Sequence, residues 1–112
     1  MIDGKAKTEA LRALTAGMIA GLIAAMSVPA TAADIIKGNR IYSAHCAFCH
    51  GVSGISAMPG APNLARGSER LMQADIGLLT SIRNGKNAMP AYIGILTDRE
   101  ILDVIAYLRT LR

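Results

Sequence analysis

Both cysteines and one of the two histidines of this 112-residue chain lie in a single run of five residues, Cys46-Ala47-Phe48-Cys49-His50. This Cys-x-x-Cys-His spacing is the attachment signature for c-type haem. Two thiols three positions apart lie on one helical turn, so both can reach one side of a porphyrin while the next imidazole points at its iron. The run therefore predicts one covalent haem c per chain, with thioethers at Cys46 and Cys49 and His50 as the proximal iron ligand.

Three other roles for these cysteines fit the sequence less well. A disulfide between Cys46 and Cys49 would close a loop too small to stabilise the chain much. A thioredoxin-like redox pair requires a βαβ context, and no segment alternates as a strand does. A tetrahedral zinc site requires four ligands, and the available ones, with His45, are crowded into adjacent positions. His45 is predicted to be a solvent-facing helix residue.

Hydrophobic spacing predicts three helices and no strand, which makes the fold all-α. The helices cover approximately residues 35–46, 75–83 and 98–111. Gly85 should end the second helix, because the chain must turn left-handed there. Thr97 and Glu100, three residues apart, form a capping box at the start of the third helix. The apolar positions predicted to face the core are Ile76, Leu78, Leu79, Ile82, Ile101, Val104, Ile105, Leu108 and Leu111.

The stretch between the first two helices, residues 51–70, is rich in glycine and proline. A structureless segment of this length is unusual in a compact domain unless it covers something. The whole chain has only four aromatic residues, few for a core of this size. The sequence therefore indicates a chain that wraps a prosthetic group rather than one that packs only its own side chains.

The amino terminus has the layout of a secretory signal peptide. Three basic residues precede the uncharged apolar run 13–33, which ends in a tract of small residues. We expect cleavage after Ala32 or Ala33, with residues 1–32 as the leader and residues 33–112 as the exported haem domain. An uncleaved anchor is the alternative, since the uncharged run falls in the range that spans a bilayer. In both cases the haem domain lies beyond the membrane, in the periplasm.

The Ala-Met-Pro tripeptide occurs twice and offers two candidates, Met58 and Met89, for the sixth iron position. Met58 follows His50 so closely that it would have to pass around the haem edge at once. Met89 lies in the loop 84–97, which has a helix at each end. Met89 is therefore the predicted distal ligand, Met58 stays open as an alternative, and Met72 is assigned to core packing.

These features resemble a single-haem class I cytochrome c over the whole of residues 33–112. The run Gly38-Asn39-Arg40-Ile41-Tyr42 is similar to the N-terminal helix of that family, and residues 88–100 resemble its methionine loop and last helix. Pro62 matches the proline whose carbonyl accepts a hydrogen bond from the ring of the proximal histidine. The resemblance implies the small cytochrome c fold, with three main helices and long loops wrapped around one covalent haem. It also implies a close crossing of the first and last helices at Gly38, with Tyr42 and Tyr107 packed there.

The function implied by the resemblance is a periplasmic one-electron carrier with His/Met axial ligation, not an enzyme. Residues 58–73 and 83–89 look like a small cytochrome encoded beside the dissimilatory nitrite reductase of denitrifying bacteria. That finer likeness implies the reductase as redox partner, supplied with electrons or assisted in haem maturation. An open or labile distal site, suited to gas sensing or peroxide chemistry, is the alternative.

The charge of the chain narrows the choice of partners. The leader holds three of the 12 basic and two of the 8 acidic residues, so the remainder has a formal charge of +3. No basic run indicates nucleic acid, and no membrane contact is expected after the leader is removed. Arg83 and Lys86, near Met89, are candidate docking charges for a redox partner protein.

Overall fold

The computed structural model describes residues 31–65 and 67–111 of the chain. Contacts divide the chain into two compact units, and the described residues belong, but for Thr31, to the second, Ala32–Arg112. The predicted leader, apart from residues 31 and 32, lies outside the described residues. Within the described ranges, no helix is long and apolar enough to cross a bilayer.

In residues 31–65 and 67–111 the regular structure consists of four α-helices and one 3-10 turn, with no strand beyond one isolated bridge. The predicted all-α fold is confirmed. The helical turn of the attachment motif was expected, whereas the 3-10 turn was not predicted. In chain order the elements are α1 (Ile35–His45), α2 (Ala47–His50), the 3-10 turn (Glu69–Met72), α3 (Asp75–Asn84) and α4 (Asp98–Leu108).

Helix α1 crosses α4 closely at Gly38, as the family resemblance implied. A Cβ atom on Gly38 would lie 2.0 Å from the backbone oxygen of Asp103. The rings of Tyr42 and Tyr107 pack at this crossing with their centroids 5.4 Å apart. The small residue on α1 thus lets the two helices approach until their aromatic side chains interlock.

Helix α4 forms the centre of the core because one of its faces is apolar and its N-terminus is capped. The Thr97 side chain accepts from the Glu100 backbone, and the Glu100 carboxylate accepts in return from the Thr97 backbone, so the predicted capping box is confirmed. Two apolar clusters share the helix, one formed with α3 and one with α1. The buried members are Leu78, Leu79, Ile101 and Ile105 in the first cluster, and Tyr42, Val104 and Leu108 in the second.

Two predicted core positions are wrong. Ile76 is 70% exposed, because the buried face of α3 is centred between Leu78 and Leu79, and Ile76 lies roughly a third of a turn away from it. Met72, assigned to core packing, is 82% exposed at the end of the 3-10 turn. Its neighbour Leu71 packs against both clusters instead.

The last helix is three residues shorter than predicted. The hydroxyl and the backbone N–H of Thr110 both donate to the carbonyl of Tyr107, which tightens the final turn and ends α4 at Leu108. Leu111 therefore lies beyond the helix, although it still packs, half-buried, against the cluster shared with α1.

Candidate haem site

The attachment segment, residues 45–50, is held as one compact helical turn. The backbone N–H of Cys46 donates to Tyr42 and ends α1, and the N–H groups of Cys49 and His50 both donate to the carbonyl of Cys46. Cys46 and Cys49 are free thiols, so the disulfide alternative is not what the structure contains. The structure thus brings the two predicted thioether positions and the predicted proximal ligand onto a single turn.

His50 is buried, with 7% of its surface exposed, and its ring is oriented by Pro62. The Nδ1 atom lies 2.9 Å from the Pro62 carbonyl oxygen, as the family resemblance implied. A carbonyl oxygen only accepts, so Nδ1 must carry the proton. In the neutral imidazole the lone pair then belongs to Nε2, the nitrogen available to bind iron.

The loop after His50 is shaped so that Pro62 returns to the histidine. Gly51 has a φ of +82°, and a Cβ there would lie 1.7 Å from the Ile55 carbonyl oxygen, so only glycine fits. The Tyr42 hydroxyl donates to the Gly51 carbonyl at 2.6 Å, and the Leu64 N–H donates to the Gly54 carbonyl at 2.7 Å. These contacts fix both ends of the segment that carries Pro62.

Burial sets the protonation of the groups around the attachment turn. It raises the pKa of the Cys46 thiol to about 11, with the neighbouring Cys49 adding to the rise. It raises the pKa of Tyr42 to about 12 and raises the pKa of Tyr92 as well. At neutral pH the Cys46 thiol and both phenols therefore keep their protons, and the two hydroxyls remain hydrogen-bond donors.

Met89 lies, half-buried, in the Met89 loop, residues 85–97. Lys86 and Met89 exchange two backbone hydrogen bonds of 3.1 and 3.0 Å, which close a tight turn with Asn87 at a φ of +53°. Gly85 ends α3 as predicted, with a φ of +68°, and a Cβ there would lie 2.6 Å from the Met89 carbonyl oxygen. The backbone that carries Met89 is thus fixed by close contacts within the loop.

Tyr92 connects the Met89 loop to the rest of the site, a role that the sequence did not reveal. Its ring is buried, and its hydroxyl donates to the His45 carbonyl at 2.7 Å across 47 positions of sequence. Its backbone N–H donates to Arg83 at 3.1 Å, and the next N–H, of Ile93, donates to the same carbonyl at 3.0 Å. An aromatic residue with a polar tip in a loop was the one available signal.

The two other candidate ligands, His45 and Met58, both lie on the surface. His45 is solvent-exposed as predicted, and its ring contacts the edge of Tyr92 with the centroids 5.9 Å apart. Met58 is exposed in the loop that carries Pro62. Residues 31–65 and 67–111 contain no cluster of three or more His, Cys, Asp or Glu side chains that could hold a metal ion.

The residues of this site fit a covalent haem, and comparisons with known proteins agree. The family model described as cytochrome c oxidase, cbb3-type, subunit III, matches residues 33–108. Cytochrome c6 of Nostoc sp. is 39% identical over 92 residues, covering 74% of this chain and 76% of the relative. Cytochrome c6 of Thermosynechococcus vestitus is 36% identical over 87 residues, covering 77% of this chain and 78% of the relative.

A comparison of folds gives the same family as the sequence comparisons. A solved structure of cytochrome c6 from the diatom Phaeodactylum tricornutum matches with a TM-score of 0.55 and 32% identity, covering 67% of this chain and 90% of the other. Proteins of this family carry one covalent haem c and transfer electrons rather than catalyse a reaction. The chain belongs to the class I single-haem c-type cytochromes, as a homologue of cytochrome c6.

Proposed function

We propose that this cytochrome is a periplasmic one-electron carrier in which Cys46 and Cys49 bind the haem covalently and His50 and Met89 are its axial ligands. The haem, when bound, supplies an iron that alternates between the ferrous and ferric states. The thioether of Met89 favours the ferrous state and so raises the reduction potential. The protein holds both ligands on a rigid frame, so that little has to move when the charge changes.

The observation that carries the proposal is the hydrogen bond from His50 Nδ1 to the Pro62 carbonyl. It fixes the tautomer and the ring orientation of a buried imidazole, which is how second-shell partners prepare a histidine to bind a metal. The buried His50 ring lies on the same helical turn as two free thiols. A disulfide protein or a surface histidine would have no need of this arrangement.

The position of Met58 supports Met89 as the distal ligand. Met58 belongs to the loop whose Pro62 carbonyl contacts His50, so this loop serves the proximal side. Met89 belongs to a different loop, which follows α3 and is anchored to the attachment segment through Tyr92. Two loops held separately can supply contacts to opposite sides of one planar group, whereas one loop that supplied both would have to encircle it.

Export to the periplasm follows from the signal-peptide layout of residues 1–32, with cleavage after Ala32 or Ala33. Attachment of haem through two thioethers suits an exported carrier, because the cofactor cannot diffuse away. Mass spectrometry of the protein recovered from the periplasm tests this part of the proposal. A chain that still carries residues 1–32 and stays with the membrane would contradict it.

The redox partner is the finer part of the proposal. The resemblance of residues 58–73 and 83–89 to the cytochrome beside dissimilatory nitrite reductase favours that reductase as acceptor, whereas the relatives compared above are named cytochrome c6. Lys86 is exposed, while Arg83 pairs with Asp98 at 3.3 Å, so Lys86 is the better docking charge. Stopped-flow oxidation of the ferrous protein by purified reductase tests this assignment. Electron transfer no faster than to an unrelated oxidase would contradict the reductase as acceptor.

Optical spectra of the matured protein test the ligand set. We expect low-spin ferric haem with a sulfur-to-iron charge-transfer band, and a ferrous form that does not bind carbon monoxide. Met89→Ala should abolish the band and lower the potential, whereas the matched variant Met58→Ala should leave both unchanged. A wild-type protein that is high-spin and binds the gas would support the open-site alternative of sensing or peroxide chemistry instead.

A further inference from the structure

The side chain of Tyr92 connects the Met89 loop to the attachment segment. Tyr92 lies three positions after Met89, and its hydroxyl donates to the carbonyl of His45, which directly precedes Cys46. The bond length of 2.7 Å is that of a well-formed O–H···O hydrogen bond. A contact that spans 47 positions thus links the loop of the distal ligand to the segment that carries the haem.

Backbone hydrogen bonds hold the loop to α3 or to itself rather than to the attachment segment. The N–H groups of Tyr92 and Ile93 donate to the Arg83 carbonyl, and those of Ile95 and Leu96 donate to the Tyr92 carbonyl. These bonds shape the loop but would survive a movement of the loop together with the end of α3. The hydrogen bond from the Tyr92 hydroxyl is different, because it would break as soon as the loop moved away from His45.

We propose that Tyr92 is a positioning residue whose hydroxyl, bound to the His45 carbonyl, keeps the Met89 loop closed and thereby controls how readily another ligand replaces Met89. The inference rests on the proposed function, since it takes Met89 as the distal ligand. Tyr92 does not touch the iron in this account. It sets the equilibrium between a closed loop, with Met89 in place, and an open loop that admits a competing ligand.

The size of the effect follows from the contact that is lost. In Tyr92→Phe the ring stays and the carbonyl of His45 loses its donor in the closed state, where the contact is partly buried, whereas in the open state water replaces the donor. The open fraction and the affinity for an external ligand should both rise about tenfold, equivalent to about 1.4 kcal/mol. The free protein should still have Met89 bound, because the closed state remains the major one.

Titration of the ferric holoprotein with imidazole, followed by the haem Soret band, measures this equilibrium. We expect Tyr92→Phe to bind imidazole about tenfold more tightly than wild type. Thr110→Val is the control: it also removes a hydroxyl that donates to a backbone carbonyl, that of Tyr107 at 2.6 Å, but at the end of α4 opposite to the Met89 loop. Its imidazole affinity should stay within about twofold of wild type, although it also loses a hydroxyl hydrogen bond.

A second control separates the hydroxyl from the ring contact. His45→Ala removes the edge contact with Tyr92 and leaves the carbonyl acceptor in the backbone, so it should not change imidazole affinity. An affinity of Tyr92→Phe within twofold of wild type, or an equal rise in Thr110→Val, would overturn the inference. Failure of the proposed function shows differently, as a wild-type spectrum without the sulfur-to-iron band or one that Met89→Ala leaves unchanged.

Discussion

Replacement of Gly38 by alanine tests the helix crossing that organises this cytochrome. The added methyl carbon would lie 2.0 Å from the carbonyl oxygen and 2.5 Å from the carbonyl carbon of Asp103, and 3.1 Å from Cβ of Tyr107. The first two atoms belong to the backbone of α4, so no rotamer change can relieve the overlap. Helices α1 and α4 would have to separate by about 1 Å, against an interior packed at crystal-like density.

Two effects of opposite sign determine the stability of Gly38→Ala: helix propensity and overpacking. Alanine normally stabilises a helix interior relative to glycine by about 0.5–1 kcal/mol. Overpacking of a close contact costs about 1–3 kcal/mol, and the obstruction by backbone places this site at the upper end. The separation would also loosen the packing of Tyr42 against Tyr107. With the overpacking cost at about 2–3 kcal/mol and the helix-propensity gain subtracted, we expect the free energy of unfolding of the holoprotein to fall by about 1–2.5 kcal/mol overall.

Gly77→Ala is the matched control, because Gly77 is also helical and its added Cβ would meet only the flexible side chain of Gln73, 3.3 Å away. This variant should gain about 0.5–1 kcal/mol from helix propensity. Urea unfolding followed by far-ultraviolet circular dichroism measures both variants against wild type. The steric reasoning is refuted when Gly38→Ala is as stable as wild type or gains stability as Gly77→Ala does.

Three further expectations test the attachment turn, the capping box and the core. Cys46→Ala combined with Cys49→Ala should abolish covalent haem, measured by haem staining after denaturing electrophoresis, and pigment that survives would contradict the assignment. Hydrogen bonds from Thr97 lower the pKa of Glu100 below its ordinary value near 4.5, so its carboxylate stabilises the fold above that pH and loses this effect as the pH falls through the lowered value. Glu100→Gln should therefore be less stable than wild type at pH 6 and converge with it in acid, and a constant gap in melting temperature would contradict this. Ile101→Ala, at a side chain with 0% exposure, should cost about 2–5 kcal/mol in urea unfolding, whereas Ile36→Ala, at an exposed site, should cost little.

The parts of the fold that could be predicted from the sequence are those determined by residues a few positions apart. The capping box depends on two residues three apart, and the apolar face of α4 repeats every three to four residues, so both could be read locally. The prediction that Ile76 is buried was wrong, because periodicity gives the spacing of an apolar stripe but not its centre. The centre depends on how α3 packs against α4. The prediction that Met72 packs in the core was wrong, because a single 3-10 turn is too short for a repeating pattern to indicate which face is buried.

The parts of the site that could not be predicted are contacts between distant segments. Asp103 shows this: it is buried on an otherwise apolar face, and its carboxylate accepts the backbone N–H of Asp34 at 2.8 Å and pairs with Arg99 at 3.5 Å. A charged residue among apolar neighbours breaks the pattern in the sequence. Local spacing can identify Arg99, four positions earlier on the same helix, but not Asp34, which is 69 positions away.

The same distinction separates the two proposed axial ligands, His50 and Met89. The proximal side is encoded locally, since Cys46, Cys49 and His50 share one helical turn and Pro62 lies only 12 positions beyond the histidine. The distal side depends on remote contacts that hold a separate loop in place, among them the hydroxyl of Tyr92. A haem-attachment motif alone is therefore compatible with a closed carrier or with an open iron site, and the choice lies in how firmly the second loop is anchored. A tyrosine in this place favours the closed carrier, because the loop can open only by breaking a partly buried hydrogen bond.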